Sequence, residues 1–341
     1  MGLRYLLVGG SNCVIGNGFG ARLQKSVAAD WLNQSLGNSS SLRGIDYLLG
    51  HPEVVAQVDA ILFEYTLNDL IFEASNTLDP ASHLSWLRVL ASNRQIADKL
   101  VFILMHGQGP VARIGSGDSF VIDHYRRVAA EFGIGSVDLL PLLASSVKQL
   151  GLAGVFKDND HFSETMVQRL AAQVVASLPT AHGPRPAHEP GLEVRCLVAV
   201  DPLTEGRMTE VEPGEFGTAL LQVPTARLAK GSEIVISSPG GALVGFYGVS
   251  SRNAGIIRLT HRGRDIVKTM RHRFAMPKPY WVLRHLTSPL HTQPGEAITL
   301  RYVADVYAAP RANLDNTLAQ VVNSGGGESV ELGRILFLVG E

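Results

Sequence analysis

The chain has 341 residues, 45% of them apolar and 18% charged, with a formal net charge of −1. That composition excludes a disordered chain and provides no global field to draw the protein to nucleic acid or an anionic membrane, while the length suits two domains better than one core. Two cysteines, Cys13 and Cys196, make no disulfide framework and fit a reducing compartment.

Residues 1–10 hold one basic residue and a short apolar run, less than a signal peptide needs. A cytoplasmic location is therefore expected. No apolar run reaches the roughly 18 residues of a membrane span. Residues 3–9 read as a strand ending in glycines, 19–31 as an amphipathic helix and 31–36 as a second strand. Strands follow at 59–65 (DAILFEY), 100–105 (LVFILM) and 135–139, with helices near 80–98 and 123–132. Apolar strands alternating with helices predict a parallel sheet covered on both faces. Residues 164–178 read as a closing helix with Ser163 as its N-cap.

The character then changes. Residues 181–191 contain three prolines and two glycines, a linker composition. Beyond them, 192–200, 218–223, 233–237, 242–249, 255–260, 298–302 and 334–339 read as short strands between turns. Their spacing predicts an all-β sandwich or jelly roll. The expected division is an α/β domain at 1–180, a linker at 181–191 and a β domain at 192–341.

In an open parallel sheet, ligands bind outside the carboxyl ends of the strands. The polar clusters expected there are Gly9-Gly10-Ser11-Asn12, Ser35 to Ser39, Thr66-Leu67-Asn68-Asp69, His106-Gly107-Gln108 and the segment from Lys157 to His161. They have complementary chemistry. A serine hydroxyl attacks well only when a base takes its proton, and His161 is a candidate base for Ser11. Asp158, three residues before it, can orient the imidazole and stabilise its charged form. Backbone N–H groups at Ser11 and near Gly37, with the Asn68 amide, can hold an oxyanion.

Gly-Gly-Ser-Asn at 9–12, Gly37, Leu-Asn-Asp at 67–69 and Asp158-x-x-His161 together resemble, in order, the four blocks of the SGNH (GDSL-like) hydrolases. The resemblance covers roughly residues 1–178. It implies a flavodoxin-like three-layer α/β/α domain with Ser11 as nucleophile, His161 as base, Asp158 as its partner and Gly37 and Asn68 as oxyanion donors. The family contains esterases, lipases, thioesterases, carbohydrate acetylesterases and acyltransferases. Three departures stand out: Gly10 replaces the acidic residue of Gly-Asp-Ser, Thr66 replaces a glycine, and either Gly37 or Asn38 can be aligned at the second block.

Each motif also has a plainer explanation. Gly-Gly-Ser occurs in ordinary turns, Asn68-Asp69 could be a helix cap, and residues 158–161 could be a polar loop or a weak metal site lacking further ligands. The order and placement of all four blocks favour catalysis, with no metal and no cofactor expected. Cys13 reads as a small buried apolar residue. Asn12, Asn38 and His106 are expected near substrate, His106 with a structural role as the stronger reading. Asp160 is the rival of Asp158.

Residues 262–285 are basic and include Tyr280 and Trp281. They could grip an anionic or sugar ligand, or form a solvated strand face with an aromatic core anchor. The expected activity is hydrolysis of O-acyl, most of all O-acetyl, esters on a carbohydrate. The alternatives are an O-acyltransferase using the same residues and a catalytically idle glycan-binding protein. The β domain is expected to bind glycan or join copies of the chain. No nucleic-acid partner is expected.

Overall fold

The computed structural model describes residues 2–108, 119–181, 195–217, 222–251, 254–270, 279–303 and 327–340. It divides into two compact units, Met1–Ala74 with His83–Val194, and Ser75–Ser82 with Arg195–Glu341.

The first unit runs β1 (Arg4–Gly9), α1 (Ser11–Val14), α2 (Phe19–Ser26), β2 (Asp30–Asn33), α3 (Ser41–Gly50), α4 (Pro52–Ala56), β3 (Ala60–Glu64), α5 (Thr66–Ala74), α6 (Pro80–Ser92), α7 (Arg94–Ala97), β4 (Leu100–Leu104), α8 (Phe120–Phe132), β5 (Gly135–Asp138), α9 (Leu140–Val155) and α10 (Glu164–Ala181). The five strands form one sheet in the order β2-β1-β3-β4-β5, every pair parallel. This is the flavodoxin-like order, whose direction reverses between β1 and β3 and so opens a crevice at their carboxyl ends.

Alternation along the strands feeds two layers. Tyr5, Leu7, Leu62, Val101 and Ile103 share a core with Leu23 of α2, Leu143 of α9 and Leu170 of α10. On the other face, Phe63 and Phe102 meet the Tyr125 ring of α8. Gly44 lets α3 approach this layer: a Cβ there would lie 2.6 Å from the Tyr65 ring and 2.7 Å from the Phe63 ring. Both faces of β3 and β4 are thus covered, which is why their sequences are continuous apolar runs.

Two boundaries differ from expectation. The helix expected over 19–31 ends at Ser26, because the backbone is extended at Val27 and the chain enters β2, where Trp31 packs on Tyr5. The helix expected over 80–98 is two helices, broken at Asn93, whose side chain caps α7 by accepting the Ile96 N–H. Ser163 does cap α10, its Oγ accepting the Met166 N–H at 3.3 Å.

The second unit contains β6 (Arg195–Val200), α11 (Pro202–Glu205), β7 (Gly206–Thr209), β8 (Glu212–Gly217), β9 (Gln222–Leu228), β10 (Glu233–Ser237), β11 (Gly241–Ser250), β12 (Ile256–His261), β13 (Arg264–Thr269), β14 (Tyr280–Thr292), β15 (Ala297–Val303) and β16 (Val330–Gly340). Its sheets have the orders β13-β12-β15-β10-β7 and β14-β11-β16-β9-β8, with β6 on β16. The described pairings are antiparallel. Ile234, Ile257 and Leu300 of one sheet share a core with Phe246, Val282 and Phe337 of the other, which makes a sandwich. The segment Ser75–Ser82 belongs to this unit, and its Thr77 carbonyl accepts the His285 ring at 2.8 Å. Apart from Ala181, the expected linker at 181–191 lies outside the described residues, as do 218–221 of the expected strand at 218–223.

The basic segment at 262–285 fits neither expectation as a whole, and residues 271–278 lie outside the described chain. Lys268 is 0% and Arg284 3% exposed, so these cations do not make a solvated face. The Lys268 ammonium donates to the His285 carbonyl, and Arg284 Nη2 donates to Ser250 Oγ at 3.1 Å. Trp281 is 7% exposed and lies between the Tyr247 and Phe216 rings, so the aromatic does anchor the core. Among the described residues, no helix is long and apolar enough to cross a membrane.

Candidate active site

Ser11 is the first residue after the tight turn that ends β1, in the crevice where sheet order reverses. Glycines make the turn possible. A Cβ on Gly9 would lie 2.6 Å from the Glu64 carbonyl oxygen, and one on Gly10 would lie 2.2 Å from Asn68 Oδ1. At position 10, where the resembled family has an acidic residue, a side chain would meet the Asn68 amide at the start of α5.

His161 reaches Ser11 from a loop between α9 and α10. An isolated bridge between Phe156 and Phe162 closes its neck, and the Lys157 N–H donates to the His161 carbonyl at 2.8 Å. Within it, Asp158 Oδ1 accepts the N–H groups of Asp160 and His161 at 3.0 and 2.9 Å. Asp158 Oδ1 and Oδ2 also lie 2.8 and 2.9 Å from His161 Nδ1. A carboxylate on Nδ1 fixes the proton there, leaving Nε2 to accept from Ser11 Oγ, 3.1 Å away. Burial raises the Asp158 pKa, but the Asp160 amide and the His161 ring outweigh it and hold the carboxyl below its ordinary value. The Asp160 carboxyl makes no such contact with the ring; burial pushes its pKa up.

The other expected residues fall into three positions. Asn68, in the first turn of α5, donates from Nδ2 to the Ser39 carbonyl at 2.7 Å. That bond uses one of the two amide hydrogens and leaves a second donor. Gly37 lies beside Ser11, with a hypothetical Cβ 3.5 Å from Ser11 Cα and Cβ, so a side chain would be tolerated there. Asn38 follows in the left-handed region at φ 56°. Asn12 is buried and donates to the Asp160 carbonyl at 2.9 Å, tying the Ser11 turn to the His161 loop. His106 is buried with Nε2 3.5 Å from Asp138 Oδ1. Thr66 has its own reason: its hydroxyl accepts the Met105 N–H at 2.8 Å, joining α5 to the end of β4.

Sequence reasoning missed Glu64 and the contacts of Asp69. Asp69 is fully buried and accepts from the Ser41 N–H at 2.9 Å, the Tyr125 hydroxyl at 3.0 Å and the His83 ring at 3.2 Å. It thereby holds the start of α3, and with it the 37–40 loop beside Ser11. Glu64 is also fully buried, behind the turn that carries Ser11. The only sequence signal for it was one acid inside an apolar strand.

No protein-family model matches the chain, and no curated protein matches it. Solved structures do. A two-domain esterase active on acetylated mannans, co-crystallised with mannopentaose, is similar over 99% of this chain and 91% of its own, with 11% identity and a TM-score of 0.70. A second structure of a two-domain esterase active on acetylated mannans is similar over 99% and 92%, with 11% identity and a TM-score of 0.69. A lipase/acylhydrolase from Enterococcus faecalis is similar over 54% of this chain and 100% of its own, with 14% identity and a TM-score of 0.41. The chain shares its two-domain fold with the mannan esterases, its own α/β unit being followed by an antiparallel β unit.

Proposed function

We propose that this chain is a serine esterase that removes O-acyl, chiefly O-acetyl, groups from a carbohydrate. The observation that carries the reading is the hydrogen-bonded series from Ser11 Oγ through His161 to Asp158, with links of 3.1 and 2.8 Å. Ser11 Oγ attacks the acyl carbon as its proton passes to His161 Nε2. Asp158 stabilises the imidazolium that forms. The Ser11 and Gly37 N–H groups and the second Asn68 N–H take the oxyanion. His161 then gives its proton to the departing sugar oxygen, and water repeats the sequence on the acyl-enzyme. The carbohydrate class is supported by the activity of the two-domain esterases on acetylated mannans. The β unit, on this reading, is an accessory module.

The test is acetate release from an acetylated manno-oligosaccharide and from an aryl acetate. Free acetate in both assays is the expected result. Acetate moved onto an added glycan hydroxyl would make the chain an acyltransferase. Turnover of neither ester, with no labelling of Ser11 by an organophosphonate, would overturn the reading.

Gly10 offers a sharper test. Gly10→Asp writes the Gly-Asp-Ser of the resembled family into this turn. The new Cβ occupies the space of Asn68 Oδ1, and the Ser39 carbonyl holds that amide in place. The substitution is expected to displace the donor and lower kcat about 10²–10³-fold, the cost of one oxyanion donor. Steady-state kinetics on an aryl acetate, normalised to phosphonate-titrated Ser11, checks it.

A further inference from the structure

Glu64, the last residue of β3, is 0% exposed. Its backbone carbonyl accepts the Gly10 N–H at 2.8 Å, and its Oε2 accepts the Cys13 thiol at 3.6 Å. A Cβ on Gly9 would lie 3.2 Å from Glu64 Cβ and 2.7 Å from Cys13 Sγ, so this glycine is what lets the carboxyl sit behind the turn. The carboxyl also faces the Leu67 amide, one residue before Asn68. Backbone and side chain together thus tie Glu64 to the residue before Ser11, to a residue two after it and to the first turn of the helix that presents Asn68. The Oε1 atom has no hydrogen bond of full geometry.

We propose that Glu64 is a positioning residue that locks the Ser11 turn to the Asn68 helix, and that its ionisation weakens the oxyanion site they form together. The proposal rests on the esterase reading above. The physical reason is sign. The site collects N–H dipoles for a developing negative oxygen, and a carboxylate behind them opposes that charge where a neutral carboxyl does not.

The carboxyl changes state in the working range. Burial pushes it up to about 7, while the Leu67 amide, the Cys13 thiol and the Gly10 amide restrain the rise, and the Asp69 charge adds to it. The neighbours are Cys13 from α1, Tyr65 beside it, Asp69 from α5 and Tyr125 from α8. Burial pushes the Cys13 thiol and both phenols up, so they stay neutral. Asp69 is held by Ser41, Tyr125 and His83.

The test is kcat for an aryl acetate against pH. Wild type is expected to lose activity as pH rises through about 7. Glu64→Gln keeps the shape without the charge, so that loss should disappear, with kcat at pH 8.5 roughly 5- to 10-fold above wild type and KM unchanged. Cys13→Ala removes a donor to the ionised form and should move the loss to higher pH. A merely structural role would lower kcat equally at every pH. A Glu64→Gln profile parallel to wild type, or a Cys13→Ala profile that does not shift, overturns the proposal.

A readout independent of turnover separates this from failure of the esterase reading. Because the folded pKa is raised, the Glu64 contribution to stability is complete below the ordinary glutamate range and is lost as pH rises through about 7. The unfolding free energy of wild type minus that of Glu64→Gln should fall across that range even if no ester is turned over, because the other titrating groups, among them His124 with its pKa pushed down to about 4 by burial, cancel in the difference. A difference that does not change across that range overturns the proposal without reference to activity.

Discussion

Alanine in place of Ser11 is expected to lower kcat for an aryl acetate by about 10⁴-fold or more, with KM little changed. On the proposed mechanism the oxygen removed is the attacking atom, and the nearby Cys13 thiol is not placed to replace it: it is turned toward Glu64 and pushed well above its usual pKa by burial. Residual turnover should remain above that of water, since the oxyanion donors survive the substitution. His161→Ala should cost a similar factor. The two losses should not add, because nucleophile and base act as one unit. The fold should be indifferent to Ser11→Ala, since the side chain is only half-buried and fills no core. Equal turnover by wild type and Ser11→Ala, with unfolding midpoints matched, would remove Ser11 from the mechanism.

The elements most legible in the sequence are those whose environment imposes one pattern. The centres of strands β1, β3 and β4 are buried on both faces, so they appear as apolar runs, and the polar residues that follow them fall where an open sheet binds ligands. Position at that edge brought Ser11, Asn68 and the Asp158–His161 segment together as candidates. What stayed hidden breaks local rules for a tertiary reason. The glycine in α3 looks like a breaker, yet Gly44 is a contact surface for two rings of the neighbouring layer. Strand β14 contains Pro289, Arg284 and His285, which disguise it. Its edge position tolerates the proline, and hydrogen bonds inside the unit engage Arg284 Nη2 and His285 Nε2. The contacts of Asp69 and Glu64 were invisible because they come from segments far away in sequence: Ser41 and Tyr125 for one, Cys13 for the other. Asn12 was named as a candidate, but its contact was not legible, since nothing local places the Asp160 carbonyl opposite its amide.

Asp158→Asn separates orientation from loop structure. Asparagine at 158 keeps an oxygen to accept the Asp160 and His161 N–H groups, so the turn between α9 and α10 should persist. It loses the second acceptor and the charge at His161 Nδ1. With an amide N–H facing the ring, Nδ1 must accept rather than donate, and the ring proton moves to Nε2. That nitrogen then donates to Ser11 Oγ and can no longer take its proton. The expected loss is about 10³–10⁴-fold in kcat, with KM nearly unchanged. In wild type, the Asp160 amide and His161 ring outweigh burial and hold the Asp158 carboxyl below its ordinary value. The support it gives is therefore complete above the ordinary aspartate pKa of about 3.9 and is lost only as pH falls through the lower folded value. An activity loss between pH 5 and 7 in wild type would accordingly not belong to Asp158. Asp160→Asn makes the complementary measurement. Its carboxyl does not reach the ring, and the carbonyl that Asn12 holds belongs to the backbone, so kcat should stay within about threefold of wild type. A reversal, with Asp160→Asn crippling and Asp158→Asn mild, would assign the histidine's partner to Asp160 and require the loop to rearrange when substrate binds.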